Sequence, residues 1–258
     1  MNNINPFILT LLSTIFTFTI TTLGSSIVFF FKKVNKNILD AMLGAAAGIM
    51  ISASFFSLLK PAIEMSNNLN LNICLTLFIG FTLGGILLFI TDKISNKLLQ
   101  KNKQSNSLKR CLMLILSITI HNIPEGMAIG VSFASINYNL STVYSSLMLA
   151  LGIGIQNFPE GSAISLPLRR EGISRLKAFL FGSLSGLIEI ISGIIGYILV
   201  LKIRILLPYL LSFAAGAMIY VVVEELIPES QTNEKKDLMA LFTLIGFSIM
   251  MILDIALS

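Results

Sequence analysis

The sequence predicts an all-α membrane protein with eight transmembrane helices. Hydrophobic residues make up 55% of its 258 positions and charged residues only 12%, which is about half the charged fraction of a typical soluble domain. Eight apolar runs approach or exceed the roughly 20 residues that a membrane-spanning helix needs. So little polar surface cannot cover a water-soluble protein of this size, so we expect lipid to surround most of the chain.

The apolar runs follow one another as a single polytopic domain, 1–258. They lie near 5–31, 39–60, 73–91, 111–133, 142–165, 178–200, 205–227 and 238–257. The lysine-rich segment 92–110 is predicted to be a cytoplasmic loop. The first run has no basic segment before it and no small-residue cleavage site, so we interpret it as a retained helix rather than a signal peptide.

The distribution of basic residues predicts the orientation in the cell membrane. With both termini outside, the cytoplasmic loops contain 15 of the 18 Lys and Arg residues, as the positive-inside rule requires. The net charge of +5 therefore belongs to these loops, and we predict no nucleic-acid partner. This topology also places Cys74 and Cys111 on opposite sides of the membrane, where a disulfide cannot join them.

A ten-residue segment of the fourth run recurs in the fifth. Residues 121–130 read HNIPEGMAIG and residues 156–165 read QNFPEGSAIS, with six identical positions. The two predicted helices run in opposite directions through the membrane. Paired segments interrupted by proline and glycine indicate the substrate site of a transporter.

Ionisable and amide side chains of three runs lie at about the same depth. An ionisable residue at the centre of a membrane helix costs about 2.5–3.5 kcal/mol on insertion scales, so its presence there indicates a functional role. His121 and Glu125 share one helix face because they are four residues apart, and Gln156 and Glu160 repeat this spacing. The complete candidate set is His121, Asn122, Glu125, Gln156, Asn157, Glu160 and Glu189.

The composition of this set indicates a site for divalent metal ions. Three carboxylates and one imidazole cannot neutralise one another, and the three runs contain no Lys or Arg, so a cation is missing. Imidazole nitrogen with carboxylate and amide oxygen suits zinc, iron(II), manganese or cadmium, whereas copper(I) prefers sulfur ligands. As alternatives, each acid could be neutral and hydrogen-bonded, and Asn122 or Asn157 could cap a broken helix turn.

Four further acids lie at the ends of two runs. Glu64, near the end of the second run, is a candidate outer entrance for cations. Glu224, Glu225 and Glu229, at the end of the seventh run, are a candidate cytoplasmic exit. The alternative for each of them is an ordinary solvated helix end.

The motifs of this chain resemble those of the ZIP family of metal-ion transporters, especially its prokaryotic GufA-like and ZupT-like members. The resemblance rests on HNIPEG at 121–126, QNFPEG at 156–161, SGLIE at 185–189 and AAGAMIYVVVEELIPE at 214–229. It implies eight helices, with the first three related to the last three by an inverted repeat around the fourth and fifth. It also implies alternating access, zinc import into the cytoplasm and often a homodimer.

The resemblance further implies two adjacent metal sites that share two carboxylates. The first would be formed by His121, Glu125, Gln156 and Glu160. Gln156 stands where many members have histidine, which leaves the affinity and the preference for zinc open.

The second implied site would be formed by Asn122, Asn157 and Glu189 together with the shared carboxylates. Asn157 stands where some members have aspartate, so this site has less negative charge. The segment 92–110 also lacks the histidine-rich tract of many members, so we expect no metal sensing there.

The expected function is zinc transport, with one or two zinc ions bound as substrate and no separate cofactor. A broad-range carrier of iron(II), manganese or cadmium is the alternative within the same class. An intramembrane metallohydrolase would need a ligand set such as HExxH and a general base, and a chain with one histidine does not suit it, so we predict no enzyme. A receptor that binds metal without moving it would need an output domain of which the sequence gives no sign.

Overall fold

The computed structural model describes residues 5–30, 36–100, 106–170 and 172–257, and within these ranges the chain is almost entirely helical. Eight long helices follow one another: α1 Pro6–Phe30, α2 Lys36–Asn68, α3 Ile73–Gln100, α4 Asn106–Ser135, α5 Val143–Arg170, α6 Arg175–Lys202, α7 Leu207–Ser230 and α8 Lys236–Leu257. Short 3₁₀ turns at Ile136–Tyr138 and Arg204–Leu206 precede α5 and α7. The predicted all-α class is confirmed.

Six of the helices in the described ranges are long and apolar enough to cross a membrane, as expected for a multi-pass membrane protein. The other two are α4 and α5, which carry the polar motifs around Glu125 and Glu160. They have 30 and 28 residues, and a helix of that length exceeds the roughly 30 Å hydrocarbon core of a bilayer. Their crossing, and so the total of eight, stays a prediction.

Several helices extend beyond the predicted apolar runs. α2 continues to Asn68, so Glu64 lies on a helix. α3 continues to Gln100 and α4 begins at Asn106, so both ends of the segment 92–110 are helical, while residues 101–105 lie outside the described ranges. An apolar run marks only the part of a helix that lies in lipid, whereas Lys, Gln and Leu continue a helix equally well in water.

The helices pack in four close pairs: α1 with α5, α4 with α6, α3 with α7 and α2 with α8. Glycines bring the backbones of each pair into contact. A Cβ atom at Gly24 would lie 1.9 Å from the Phe158 carbonyl oxygen, and one at Gly130 would lie 2.0 Å from that of Gly193. Because lipid tails are as apolar as the helices, no hydrophobic effect drives helix association in a membrane. Close packing of small residues therefore stabilises such pairs.

The pairing has the symmetry of an inverted repeat. If α1, α2 and α3 correspond to α6, α7 and α8, and α4 to α5, then the α1–α5 pair maps onto α6–α4 and the α3–α7 pair onto α8–α2. Corresponding helices also share a wide π turn, at Ser54–Leu59 in α2 and at Val222–Leu226 in α7, each followed by proline. The contacts therefore agree with the repeat that the resemblance implied.

α6 is interrupted at Gly186, between segments Arg175–Ser185 and Leu187–Lys202. The Glu189 N–H donates to the Gly186 carbonyl at 3.1 Å, whereas a regular helix would use the carbonyl of Ser185. The Ser185 carbonyl is consequently available to a donor from another helix. By contrast, α4 and α5 continue as helices through Pro124, Pro159 and Pro167.

Two adjacent glycines of α3 provide a matched test of the packing. A Cβ at Gly84 would lie 2.0 Å from the Phe213 carbonyl oxygen of α7, whereas the nearest atom to one at Gly85 would be 3.8 Å away. We expect Gly84→Ala to force α3 from α7 and lower stability by about 1–3 kcal/mol. Gly85→Ala should leave stability unchanged or raise it, because alanine favours helix over glycine. Thermal unfolding in detergent measures both, and equal melting temperatures would contradict the packing.

Candidate metal centre

Six of the seven candidate ligands are fully buried at the junction of α4, α5 and α6. Each has 0% of its surface exposed. They are Asn122, Glu125, Gln156, Asn157, Glu160 and Glu189. The seventh, His121, belongs to α4, but its side chain lies outside the part of the chain that the structure describes.

Hydrogen bonds from the three amide side chains connect the three helices. Gln156 Nε2 of α5 donates to Glu125 Oε1 of α4 in a short contact. Asn157 Nδ2 donates to Glu189 Oε1 of α6 at 2.8 Å. Asn122 Nδ2 of α4 donates across to α6, at 3.1 Å from the Ser185 carbonyl oxygen. Each of the three helix interfaces thus has one hydrogen bond donated by a side-chain amide at the depth of the carboxylates.

The amides keep their oxygens unpaired. Oδ1 of Asn122, Oε1 of Gln156 and Oδ1 of Asn157 are buried without a hydrogen-bond partner, and so is Oε2 of Glu189. An unsatisfied buried polar atom costs about 1–3 kcal/mol. All four atoms are acceptors, and a cation satisfies several acceptors at once, so the site has the chemistry of a cation-binding centre.

Asn122 combines the two roles that the sequence left open. Its nitrogen caps the Ser185 carbonyl that the break at Gly186 releases, so the helix-capping interpretation is correct for that atom. Its oxygen remains unpaired and can serve a metal ion. Asn157 caps no helix through its side chain, because its nitrogen binds the carboxylate of Glu189.

The carboxylates lie close enough to repel one another. Glu189 experiences the charges of both Glu125 and Glu160. Among the described side chains, no three His, Cys, Asp or Glu groups form a complete ligand cluster by themselves. The unpaired amide oxygens of Asn122, Gln156 and Asn157 can supply part of a coordination shell here, and a mixed carboxylate and amide shell suits a divalent cation.

The glycine of each repeated motif sets the distance to a neighbouring helix. A Cβ at Gly126, next to Glu125, would lie 2.3 Å from the Glu189 carbonyl oxygen of α6. A Cβ at Gly161, next to Glu160, would lie 2.0 Å from the Thr21 carbonyl oxygen of α1. The acid of the motif is therefore buried at the site, while the following glycine admits the backbone of a different helix.

The peripheral acids lie apart from this centre. Glu64, Glu224 and Glu229 are exposed and Glu225 is half-buried. Glu224 lies beside Asp92 of α3, and Asp92 accepts a hydrogen bond from Tyr220. Asp92 was not among the exit residues predicted from the sequence.

A groove of about 420 Å³ between α3 and α7 reaches this acidic group. Its lining is mainly apolar and includes Phe81, Phe89 and Tyr220. None of the candidate metal ligands lines it. The groove therefore belongs to the α3–α7 surface and not to the buried centre.

Two other acids inside apolar helices have hydrogen-bond partners of their own. Asp40 of α2 accepts from Asn233 Nδ2 at 2.8 Å. Asp254 of α8 accepts from Ser57 Oγ at 2.8 Å. Both acids are joined to one neighbouring element, whereas the central acids converge from three helices, which distinguishes the central group as a site.

Sequence reasoning also missed the contribution of α1. This helix has a buried stripe of hydroxyl residues, none more than 6% exposed: Thr10, Ser13, Thr14, Thr17, Thr21 and Ser25. Thr17 lies beside the carboxylate of Glu189. The recurrence of hydroxyls every three or four residues in an apolar run was the available signal.

The sequence model of the ZIP zinc transporter family matches residues 7–111 and 100–254, nearly the whole chain. The chain belongs to the ZIP family. The zinc transporter ZIP11 of Xenopus tropicalis is 36% identical, and the alignment covers 98% of both chains. The zinc transporter ZIPB of Bordetella bronchiseptica is 33% identical over 93% of this chain and 78% of its own. The zinc transporter GufA of Myxococcus xanthus is 31% identical over 93% and 95%.

These matches confirm the predicted resemblance and widen it. Animal ZIP11 proteins are as similar to this chain as the prokaryotic members are. ZIP proteins are transporters and not enzymes, so the prediction of a non-enzymatic membrane transporter is confirmed and the metallohydrolase alternative falls away. The roles of the individual ligands stay a prediction.

Asn157→Asp tests whether the acceptors act on a cation. The variant loses the donor to Glu189 and adds a carboxylate beside it, so we expect a lower melting temperature in the presence of a chelator. Added zinc should then raise the melting temperature by more than in wild type, because a ligand stabilises the state that binds it. Asn137→Asp, which adds the same charge outside the site, is the control. A zinc response no larger than that of wild type would contradict the assignment.

Proposed function

We propose that this ZIP protein carries zinc into the cytoplasm through a two-metal site in the middle of the membrane. The observation that carries the proposal is the group of buried acceptors without partners, contributed by Asn122, Gln156, Asn157 and Glu189. Zinc is proposed because the relatives named above are called zinc transporters. The ion is the substrate, and the proposal includes no separate cofactor.

The amide contacts support a division of the centre into two halves. In the first, the side-chain nitrogen of Gln156 holds Glu125, and we assign His121 and Glu160 to the same ion. In the second, the side-chain nitrogen of Asn157 holds Glu189. Because both nitrogens face carboxylates, the amide oxygens are left for the metal.

Asn122 completes the second half, and the shared carboxylates Glu125 and Glu160 would lie between the two ions. A pair of divalent cations would offset the mutual repulsion of Glu125, Glu160 and Glu189. The ligands are oxygen and nitrogen atoms with no thiolate. Such a moderate donor set favours release as well as binding, as transport requires.

A broad-range carrier of iron(II), manganese or cadmium is the second candidate. It is favoured by Gln156, whose amide oxygen stands where many family members have imidazole, so that oxygen dominates the donor set. Oxygen-rich sites suit manganese and iron(II) better than sites rich in nitrogen. Competition between ions in a transport assay separates the two candidates.

The proposed route runs from outside to inside in a cell membrane. We place both termini outside, the entrance at Glu64 and the exit at Glu224, Glu225 and Glu229. The structure supports extending the exit to Asp92, because this residue and Glu224 lie on facing helices beside the same Tyr220. A homodimer in the lipid bilayer is part of the proposal.

Flux into proteoliposomes tests the central site. The purified protein is reconstituted with a zinc-sensitive dye inside the vesicles, and flux is compared among variants. We expect Glu160→Ala to reduce flux to the background of empty vesicles, because Glu160 is assigned to both ions. Gln156→Ala should retain measurable flux, because it removes one neutral ligand.

Glu234→Ala is the control, since Glu234 is exposed in the connection between α7 and α8. It should transport at the wild-type rate. Normal flux through Glu160→Ala would refute the central site, and zinc binding without flux in wild type would favour a receptor.

Cysteine labelling tests the orientation. Cys74 is exposed at the start of α3, which the proposed topology places outside. In a Cys111→Ser background, we expect a membrane-impermeant maleimide to label Cys74 in intact cells. Labelling that appears only after the cells are permeabilised would reverse the topology, and a Cys74→Ser, Cys111→Ser double variant gives the background.

A further inference from the structure

α1 carries no candidate ligand, yet one of its hydroxyl groups reaches the centre. Thr17 is fully buried and lies beside the Glu189 carboxylate. Oε1 of this carboxylate already accepts from Asn157 Nδ2 at 2.8 Å, and Oε2 is buried without a hydrogen-bond partner. The hydroxyl of Thr17 is thus a donor next to a carboxylate that has capacity for one.

The packing of α1 on α6 fixes this position. A Cβ at Gly193 would lie 2.7 Å from Cγ2 of Thr14, and one at Gly186 would lie 3.0 Å from Cβ of Thr21. These glycines stand four residues after and three residues before Glu189. The two helices therefore run antiparallel at this contact, and Thr17, which lies between Thr14 and Thr21, faces the carboxylate.

The Thr17 hydroxyl has two acceptors for its single proton. It donates to the Thr14 carbonyl at 3.0 Å within its own helix, and it lies beside Glu189. A hydroxyl hydrogen rotates to suit its surroundings. When the Glu189 carboxylate lacks a cation, the hydroxyl hydrogen of Thr17 can rotate toward it. The Thr14 carbonyl then still accepts the backbone N–H hydrogen bond of the regular helix.

We propose that Thr17 is a positioning residue of the metal centre, which holds Glu189 in the orientation that the second ion requires. The inference rests on the proposed function, because it names a residue that supports one of the proposed ligands. Partners that orient metal-binding side chains through hydrogen bonds typically contribute about tenfold or more to metal affinity.

The neighbouring threonines offer matched controls. The hydroxyl of Thr14 donates to the Thr10 carbonyl at 3.0 Å, and that of Thr21 donates to the Thr17 carbonyl at 3.1 Å. Both residues are as buried as Thr17. Replacement of either by valine removes a hydroxyl at the same helix interface without touching the carboxylate.

The experiment is an equilibrium zinc titration of purified full-length protein against a chelating dye, with proteoliposome flux measured in parallel. Thr17→Val removes the hydroxyl and keeps the shape of the side chain. We expect it to lower the zinc affinity of the second site, which includes Glu189, about tenfold. Thr17→Ser, which retains the hydroxyl, should restore the affinity, and Thr14→Val should match wild type.

A double-mutant cycle separates this role from a purely structural one. In a Glu189→Ala background, Thr17→Val should cause no further loss of zinc affinity, because the group through which it acts is gone. The inference would be overturned if Thr17→Val lowered zinc affinity equally in the Glu189→Ala background, or if Thr14→Val lowered it as much as Thr17→Val does. It would also be overturned if Thr17→Val kept the wild-type melting temperature and lost no zinc affinity.

Wild type and Glu160→Ala, measured side by side, keep the two proposals distinguishable. If wild type neither binds nor transports zinc, the proposed function fails and the role of Thr17 fails with it. If wild type transports zinc through a Glu160-dependent site and Thr17→Val behaves as wild type does, only the role of Thr17 is refuted.

Discussion

Backbone contact at Gly126 determines how closely the carboxylates of this protein approach one another. The glycine follows Glu125 directly and admits the backbone of Glu189 from α6, where a Cβ would lie 2.3 Å from the Glu189 carbonyl oxygen. Gly161 does the same for α5 against α1. The distances between the helices therefore depend on the absence of a side chain, and the buried acids have no room to move apart without separating whole helices.

Because the three buried carboxylates lie close together, their negative charges repel one another, and the neighbouring amide side chains are oriented accordingly. Glu125, Glu160 and Glu189 are fully buried, and the charges of the first two act on the third. Gln156 and Asn157 each turn their nitrogen to a carboxylate, and Asn122 uses its nitrogen to cap α6 at its break. The side-chain amide nitrogens of the site thus all donate to protein acceptors, and the acceptor oxygens that remain unpaired can be satisfied by a bound cation.

Much of this arrangement could be predicted from the sequence, because it depends on local spacing. The apolar runs located the helices, and the i, i+4 spacing of Gln156 and Glu160 placed two candidate ligands on one face. The break at Gly186 and the π turn at Val222–Leu226 were not predicted, because each is a local shift in backbone hydrogen bonding that the spacing of apolar residues does not indicate. Thr17 was missed because only the register of α1 on α6 distinguishes it from the other buried threonines.

X-ray absorption at the zinc edge tests the central claim most directly, since it reports which atoms surround the ion in the purified protein. The account predicts a first shell of oxygen and nitrogen at about 2.0–2.2 Å, with the scattering of a single imidazole and no sulfur near 2.3 Å. A shell dominated by sulfur, from cysteine or methionine, or a shell without imidazole would contradict a centre built from His121 and the buried oxygens of α4, α5 and α6.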